Sequence, residues 1–547
     1  MHYFFLFFLY FPEDFIANEK NASSSVVFLS NIFFWKNLNY FAPSSESNVF
    51  LHTWSLSIEW QFYLIYPFLL IFIKNNVRSK GKYLYSFLFI VLISYISSIL
   101  ISEIDPTASF YLLPTRSWEM LFGGFAFLLE EDVNVEMSEK FRKYFAVFGY
   151  VLIFTCFVFL KTTILWPGYY TLIPVIATFF IISANYNKFA IVKNCFVQFV
   201  GKISYSLYLW HWPIYVIAAY YGIQESWQIV ALLIALSFVL AFLSFRYIES
   251  FSFNNKSVVM SMAVILFLTV MLSYIPLNTL LFDSKTLMIA NYKKIHKKEL
   301  YNHFNKDICM VNNIEDFNET SCLQFDKNKK NILIIGDSHM AQLSQSLQER
   351  VSEYNINILQ ATAGSTPPLI KKFRHNEPMV KELMNNTFYN FIPKNANKID
   401  GVILSASWSG YTNIPKDSVY YNLRETIKYL KSYGISSIII GQTERYTIPY
   451  ANIAAWNYEN NSQMNVRFLD QYAVKMDNYL QNKLGESYIK VINVKNFPVL
   501  SDNYIPYMWD TNHVTKYGAD LIVNKVMSNP RVIKFFKLRK KRRRLVK

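Results

Sequence analysis

The sequence predicts a multi-span α-helical membrane bundle followed by an α/β domain, three layers deep around a parallel sheet. Three observations predict it. Apolar residues make up 52% of the 547-residue chain and aromatic residues 18%, more than most soluble proteins carry. Before about residue 277 the apolar residues come in long runs, and a helix needs ~20 of them to cross a bilayer. From residue 331 they come in short strand-length runs with helix-spaced pieces between, the pattern of alternating strands and helices.

Eight runs are candidate spans: residues 54–73, 83–102, 110–129, 143–161, 169–184, 203–220, 227–246 and 257–276. Residues 26–35 are apolar but too short. The opening MHYFFLFFLYF is also short and lacks the basic start and small-residue cleavage site of a signal peptide. It reads as the end of a span. Basic loops, such as KNNVRSKGK at 74–82, alternate with acidic or nearly uncharged ones, such as SEIDP at 102–106. Basic loops favour the cytoplasm. Following the alternation puts residue 277 onward on the outer side of the membrane, outside the cytoplasm.

The expected organisation is a membrane domain at 1–276, an irregular polar linker at 277–330, a soluble domain at 331–530 and a basic tail at 531–547. Net charge is +16, part of it in KLRKKRRRLVK at 537–547. Such a tail either binds anionic lipid or polymer, or is simply solvated. No basic face interleaved with stacking aromatics precedes it, so nucleic-acid recognition is not expected. Cys156 and Cys195 lie in or beside apolar runs and read as free thiols. Cys309 and Cys322 flank a polar stretch and read either as a disulfide or as two thiols. No cysteine–histidine cluster has zinc spacing, and His296 and His303 are isolated. No metal or bound cofactor is expected.

In the soluble domain, NILIIG, GVILSAS, SSIIIG and YIKVINV read as strands. Met340, Leu343, Leu347 and Val351 recur at helix spacing between the first two. Ser338, in NILIIGDSHM, then falls at a strand-to-helix turn, where unpaired N–H groups can stabilise an oxyanion. A serine hydroxyl is a weak nucleophile and needs a base. Asp510 and His513, in MWDTNHVTKYGAD, have the spacing for a carboxylate to orient an imidazole. The competing reading of Ser338 is a turn serine without chemistry. His339 reads as structural.

Gly336-Asp337-Ser338 near the start of an α/β domain, with Asp510-x-x-His513 near its end, resembles the SGNH (GDSL-type) hydrolase family. The resemblance implies Ser338 as nucleophile, Asp510 and His513 as its activating pair, and Gly364 in ATAGSTPPL as an oxyanion-hole donor beside the Ser338 N–H. The family's third block usually supplies an asparagine. Here SASWSGY, residues 405–411, has none, and Trp408 reads either as an acceptor-site wall or as packing.

The first half carries groups that are costly in lipid. LHTWSLSIEWQFYLIYP brings His52, Ser55, Glu59, Gln61 and Tyr63 to the start of a span; Arg116 and Glu119 sit one turn apart; His211 lies in GKISYSLYLWHWPIYV. Interfacial anchoring explains any one of them but fits the set poorly. HTWSLSIEWQFYLIYP, ISYSLYLWHWP and Arg116-Ser117-Trp118-Glu119 closely resemble the acyltransferase-3 family of membrane O-acyltransferases, over about residues 1–255. Trp60 stands where the family commonly has an acidic residue. Family members begin with spans bearing a basic residue and a catalytic histidine. Met1 falls inside the equivalent of the third span, so either those spans lie upstream of it or the membrane half is inactive. His52, Glu59, Arg116, Glu119 and His211 are then candidates for supporting roles.

Together the resemblances imply O-acyl transfer, with acetyl as the expected group. An acyl-CoA such as acetyl-CoA is the expected cytoplasmic donor and an envelope polysaccharide such as O-antigen the expected acceptor. A membrane-tethered esterase and an inactive polymer-binding remnant are the alternatives.

Overall fold

The computed structural model describes residues 9–37, 48–77, 80–132, 138–160, 166–223, 226–251, 254–274, 277–370, 378–411, 415–492 and 498–536. The basic stretch at 537–547 and the first eight residues of the opening run lie outside them. The chain divides into two units, Met1–Asn278 and Thr279–Lys547.

In the first unit seven of the eight apolar runs fall, over most of their described residues, on one continuous helix each. Among the described residues, five helices are long and apolar enough to cross a membrane: Thr53–Asn76, Lys82–Ile104, Glu139–Phe159, Trp227–Glu249 and Lys256–Tyr274. The run expected at 110–129 is broken. The Asp105 carboxylate accepts the Ala108 N–H at 2.9 Å and caps a short helix, Pro106–Tyr111, and a second helix then runs from Leu113 to Asp132. Two further helices, Pro12–Val26 and Ser30–Asn37, were not expected. They are too polar or too short for a hydropathy reading. Pro12–Val26 is tied to the last long helix by a 2.9 Å hydrogen bond from Ser23 Oγ to Thr269 Oγ1. Cys156 and Cys195 are free thiols.

The second unit is built on a six-stranded parallel sheet: β1 (Met310–Val311), β2 (Lys330–Gly336), β3 (Ile356–Ala363), β4 (Gly401–Ser405), β5 (Ser437–Ile440) and β6 (Tyr488–Ile489), in spatial order β1-β3-β2-β4-β5-β6. Ile332 to Ile335 are all buried. Successive strand side chains point to opposite faces, so both faces are covered, as a parallel sheet requires. Leu333 and Ile335 join the core with Leu423, Leu430 and Leu480 from the helices Lys416–Ser432 and Gln471–Leu484. The helices Ser344–Val351 and Lys516–Ser528 pack against each other. Met340, Leu343, Leu347 and Val351, the helix-spaced set, are fully buried.

The central register is tight. Gly336 pairs with Thr362 on one side and Ser405 on the other. A Cβ at Gly336 would stand 1.9 Å from the Ser405 carbonyl oxygen, a backbone atom that cannot swing away. Gly336→Ala is therefore expected to push β2 and β4 apart and to cost roughly 1–3 kcal/mol. A thermal-unfolding midpoint equal to wild type would contradict this.

The stretch expected to be an irregular linker at 277–330 is largely structured. Residues 279 onward belong to the second unit. They form the helices Ser284–Ala290, Tyr292–Ile295 and Lys297–His303, then β1, then the short helix Glu319–Cys322. Cys309 and Cys322 are joined in a disulfide. These elements are short and lysine-rich, so neither run length nor hydropathy marks them.

Candidate active site

Ser338 opens the short helix Ser338–Ala341 at the carboxyl end of β2. Asp337 caps that turn. Its Oδ1 accepts the His339 N–H at 2.8 Å, and its Oδ2 accepts the Ser407 N–H at 2.9 Å and the Tyr411 hydroxyl at 2.6 Å. The loop after β4 is thereby pinned to the loop after β2. Burial pushes the Asp337 carboxyl above the ordinary range, against the pull of those three donors.

The hydrogen bonds around Ser338 form a chain. His513 Nε2 lies 2.9 Å from Ser338 Oγ, and His513 Nδ1 lies 2.8 Å from Asp510 Oδ2. A carboxylate only accepts. Nδ1 therefore carries the proton, and in the neutral ring Nε2 is the acceptor for the serine O–H. Asp510 Oδ1 also accepts the N–H groups of Asn512 at 2.9 Å and His513 at 2.7 Å. Burial raises the Asp510 carboxyl, but the imidazole of His513, these donors and Lys293 outweigh it and hold the group at about 2. It stays ionised at any working pH.

Three further contacts fix the imidazole. Its ring stacks on Trp509, with centroids 5.4 Å apart and planes 16° apart, and meets Phe304 edge-on at 5.7 Å. The Val514 N–H donates to Gln342 Oε1 at 2.9 Å, which locks the histidine loop to the serine helix. His339 lies 5.3 Å from the His513 ring and bonds Thr443 Oγ1 through Nδ1 at 2.8 Å. Burial, then the neighbouring His513, push its imidazole well below the ordinary range. Gln342 and Phe304 were not singled out from the sequence. Gln342 lies four residues after Ser338, a spacing that could have flagged it. Phe304 carries no such signal.

Gly364 does not fit the oxyanion role expected of it. Its N–H donates to the Val311 carbonyl at 2.9 Å, extending the β1–β3 ladder. Trp408 is a packing residue: it is 1% exposed and its Nε1 donates to the Ile440 carbonyl at 3.2 Å. Among the described residues, no group of three or more His, Cys, Asp or Glu side chains could hold a metal ion.

In the first unit, the expected polar residues form two groups that share the start of Thr53–Asn76. His52, Ser55, Tyr208 and His211 make one. The Tyr208 hydroxyl donates to the His52 carbonyl at 2.6 Å. A phenol has one proton, so Ser55 Oγ, 2.7 Å away, must donate to Tyr208. The His52 and His211 rings lie 5.8 Å apart, and His211 Nδ1 bonds the Tyr208 carbonyl at 2.7 Å. The second group is Arg116 and Glu119, paired at 3.1 Å, with the guanidinium 5.5 Å from the centre of the Trp54 ring. Glu59 lies further along the helix and is exposed. Gln61 and Asn31 exchange side-chain hydrogen bonds at 2.8 and 3.3 Å.

Comparison with known proteins matches residues 2–246 to a family described as an acyltransferase domain, and residues 306–528 to an SGNH domain described as fused to AT3 domains. O-acetyltransferase OatA of Staphylococcus aureus is 30% identical over 260 residues, 44% of this chain and 42% of that protein. Peptidoglycan O-acetyltransferase OatA of Listeria monocytogenes is 27% identical over the same shares. The chain thus covers less than half the length of these curated relatives. The periplasmic domain of a lipopolysaccharide acetyltransferase from Salmonella ser. Paratyphi A aligns at 24% identity over 44% of this chain and 95% of that domain, with a TM-score of 0.36. The first half of the chain is thus similar to acyltransferase domains, and the second half to SGNH domains of the kind fused to them.

Proposed function

We propose that this protein transfers an acyl group, acetyl by preference, to a hydroxyl of a bacterial cell-envelope polysaccharide. The observation that carries the reading is the hydrogen-bonded Ser338–His513–Asp510 chain in a unit joined to an acyltransferase domain. Ser338 Oγ attacks the acyl carbonyl while His513 Nε2 takes its proton. The tetrahedral oxyanion is stabilised by the Ser338 N–H at the start of its helix. The leaving group departs with the proton from His513, and an acyl-Ser338 ester remains. An acceptor hydroxyl then attacks that ester and gives its proton to His513. Ser338 Oγ leaves and recovers that proton. Asp510 holds the imidazole in the right tautomer and balances its charge in both halves.

The membrane unit receives the acyl group from a cytoplasmic acyl-CoA, acetyl-CoA being the simplest donor, and passes it outward. His52, Tyr208 and His211, with the Arg116–Glu119 pair, are the groups proposed to support that passage. The second unit then works on the outer face of the inner membrane, in keeping with the positive-inside order of the loops. The reading is tested in cells. A strain lacking the gene should lose ester-linked acetate from its envelope polysaccharide, and the wild-type chain should restore it where Ser338→Ala does not. Full restoration by Ser338→Ala would overturn the role of Ser338. A rise in polymer acetate on deletion would mark an esterase.

A further inference from the structure

Residues 284–306 carry six lysines against one glutamate. They do not trail as a solvated tether: they fold as three short helices on the second unit, with Tyr292 and Leu300 buried. Two contacts set this segment beside the triad. Phe304, near its end, packs against the His513 ring at 5.7 Å. Lys293 Nζ stands 4.8 Å from the centre of the Trp509 ring, whose face stacks on His513. Lys293 also acts electrostatically on Asp510. Lys294, Lys297 and Lys298 follow within two turns and are exposed. The segment's one acid, Glu299, is engaged by His296 at 2.8 Å.

Holding like charges together costs self-repulsion, and a cleft lined by one sign concentrates ligands of the other. Ammonium groups meet carboxylate or phosphate oxygens through strong charge-assisted hydrogen bonds. A neutral glycan would gain none of these. We propose that this lysine shelf is an acceptor-recognition surface, and that the glycan acylated at Ser338 carries carboxylate or phosphate groups close to the reacting hydroxyl. The inference rests on the acyl-transfer reading above.

The test uses the full chain in neutral detergent with p-nitrophenyl acetate as donor and three acceptors of equal length. One is a uronic-acid oligosaccharide, one its carboxyl-reduced neutral counterpart, and one a phosphorylated neutral oligosaccharide. Release of p-nitrophenol reports donor cleavage, and mass spectrometry reports acetylated acceptor. At low salt a charged acceptor is expected to exceed the neutral one about tenfold in kcat/KM, from ~twofold for each of the three exposed lysines. That preference should shrink in 0.5 M salt, about five times the ~0.1 M at which screening already acts within ~10 Å. Lys294→Gln/Lys297→Gln/Lys298→Gln should abolish it, mainly through KM, and the matching triple arginine variant should keep it. Equal use of all three acceptors at low salt overturns the proposal. So does retention of anionic-vesicle binding by the shelf without acceptor preference, which would assign these lysines to lipid. Cleavage of donor without transfer to any acceptor overturns the transfer reading itself, and the inference with it.

Discussion

Ser338→Ala is expected to lower p-nitrophenyl acetate turnover by the full chain on the order of 10⁴–10⁶-fold, and His513→Ala by a similar factor. The double variant should be no worse than either single one. That non-additivity is the informative result. The two groups meet at 2.9 Å, and in the proposed mechanism they act as one device, so removing either removes the activated nucleophile. Losses that multiply in the double variant would mean that they act independently, which the geometry does not allow. Binding of substrate should survive in all three, with KM changing far less than kcat.

Asp510→Asn is the second large effect. The amide can no longer serve as a pure acceptor for the His513 Nδ1–H, so the imidazole loses its fixed tautomer. A kcat loss on the order of 10³–10⁴-fold is expected with the fold intact. The same variant has a signature in stability. The native carboxyl sits at about 2, below its usual value of 3.8. The unfolded chain therefore binds the proton first as pH falls. The contribution of Asp510 is fully present above about pH 4 and is lost as pH drops through 2. Its size is about 2 kcal/mol, since each tenfold change in proton affinity between the folded and unfolded chain is worth ~1.4 kcal/mol. Thermal unfolding followed between pH 5 and pH 2.5 should fall more steeply for wild type than for Asp510→Asn. Asp337, raised by burial, contributes with the opposite sign. It is present in both proteins and cancels in the comparison. Parallel slopes would contradict the stated balance of forces at Asp510.

The legible parts of the site were those written in local chemistry. Ser338 was visible because a buried strand ends there in a turn. The Asp510–His513 pair was visible because its three-residue spacing lets one side chain orient the other. The long helices of the first unit were visible from run length alone. What escaped was set by pairing partners far along the chain. Gly364 sits after a strand as expected, but its N–H is claimed by Val311. β1 is two residues long, and nothing in Met310–Val311 announces a strand. Trp408 had two open readings, and the choice depended on whether the Ile440 carbonyl faced it. Pro12–Val26 escaped because a helix carrying Glu19, buried in this structure, does not look apolar.

The pairing of β1 with β3 also bears on where the second unit begins. β3 is eight residues long, and only its last two, Thr362 and Ala363, are covered on the outer side by β1. The disulfide between Cys309 and Cys322 ties that cover in place. A fragment started at residue 331, the boundary that apolar pattern alone would choose, would lose β1, the disulfide and the Phe304 wall of His513 together. It would present an uncovered strand edge able to pair with other chains, and self-association would compete with folding. Such a fragment would lack activity for reasons unrelated to its triad.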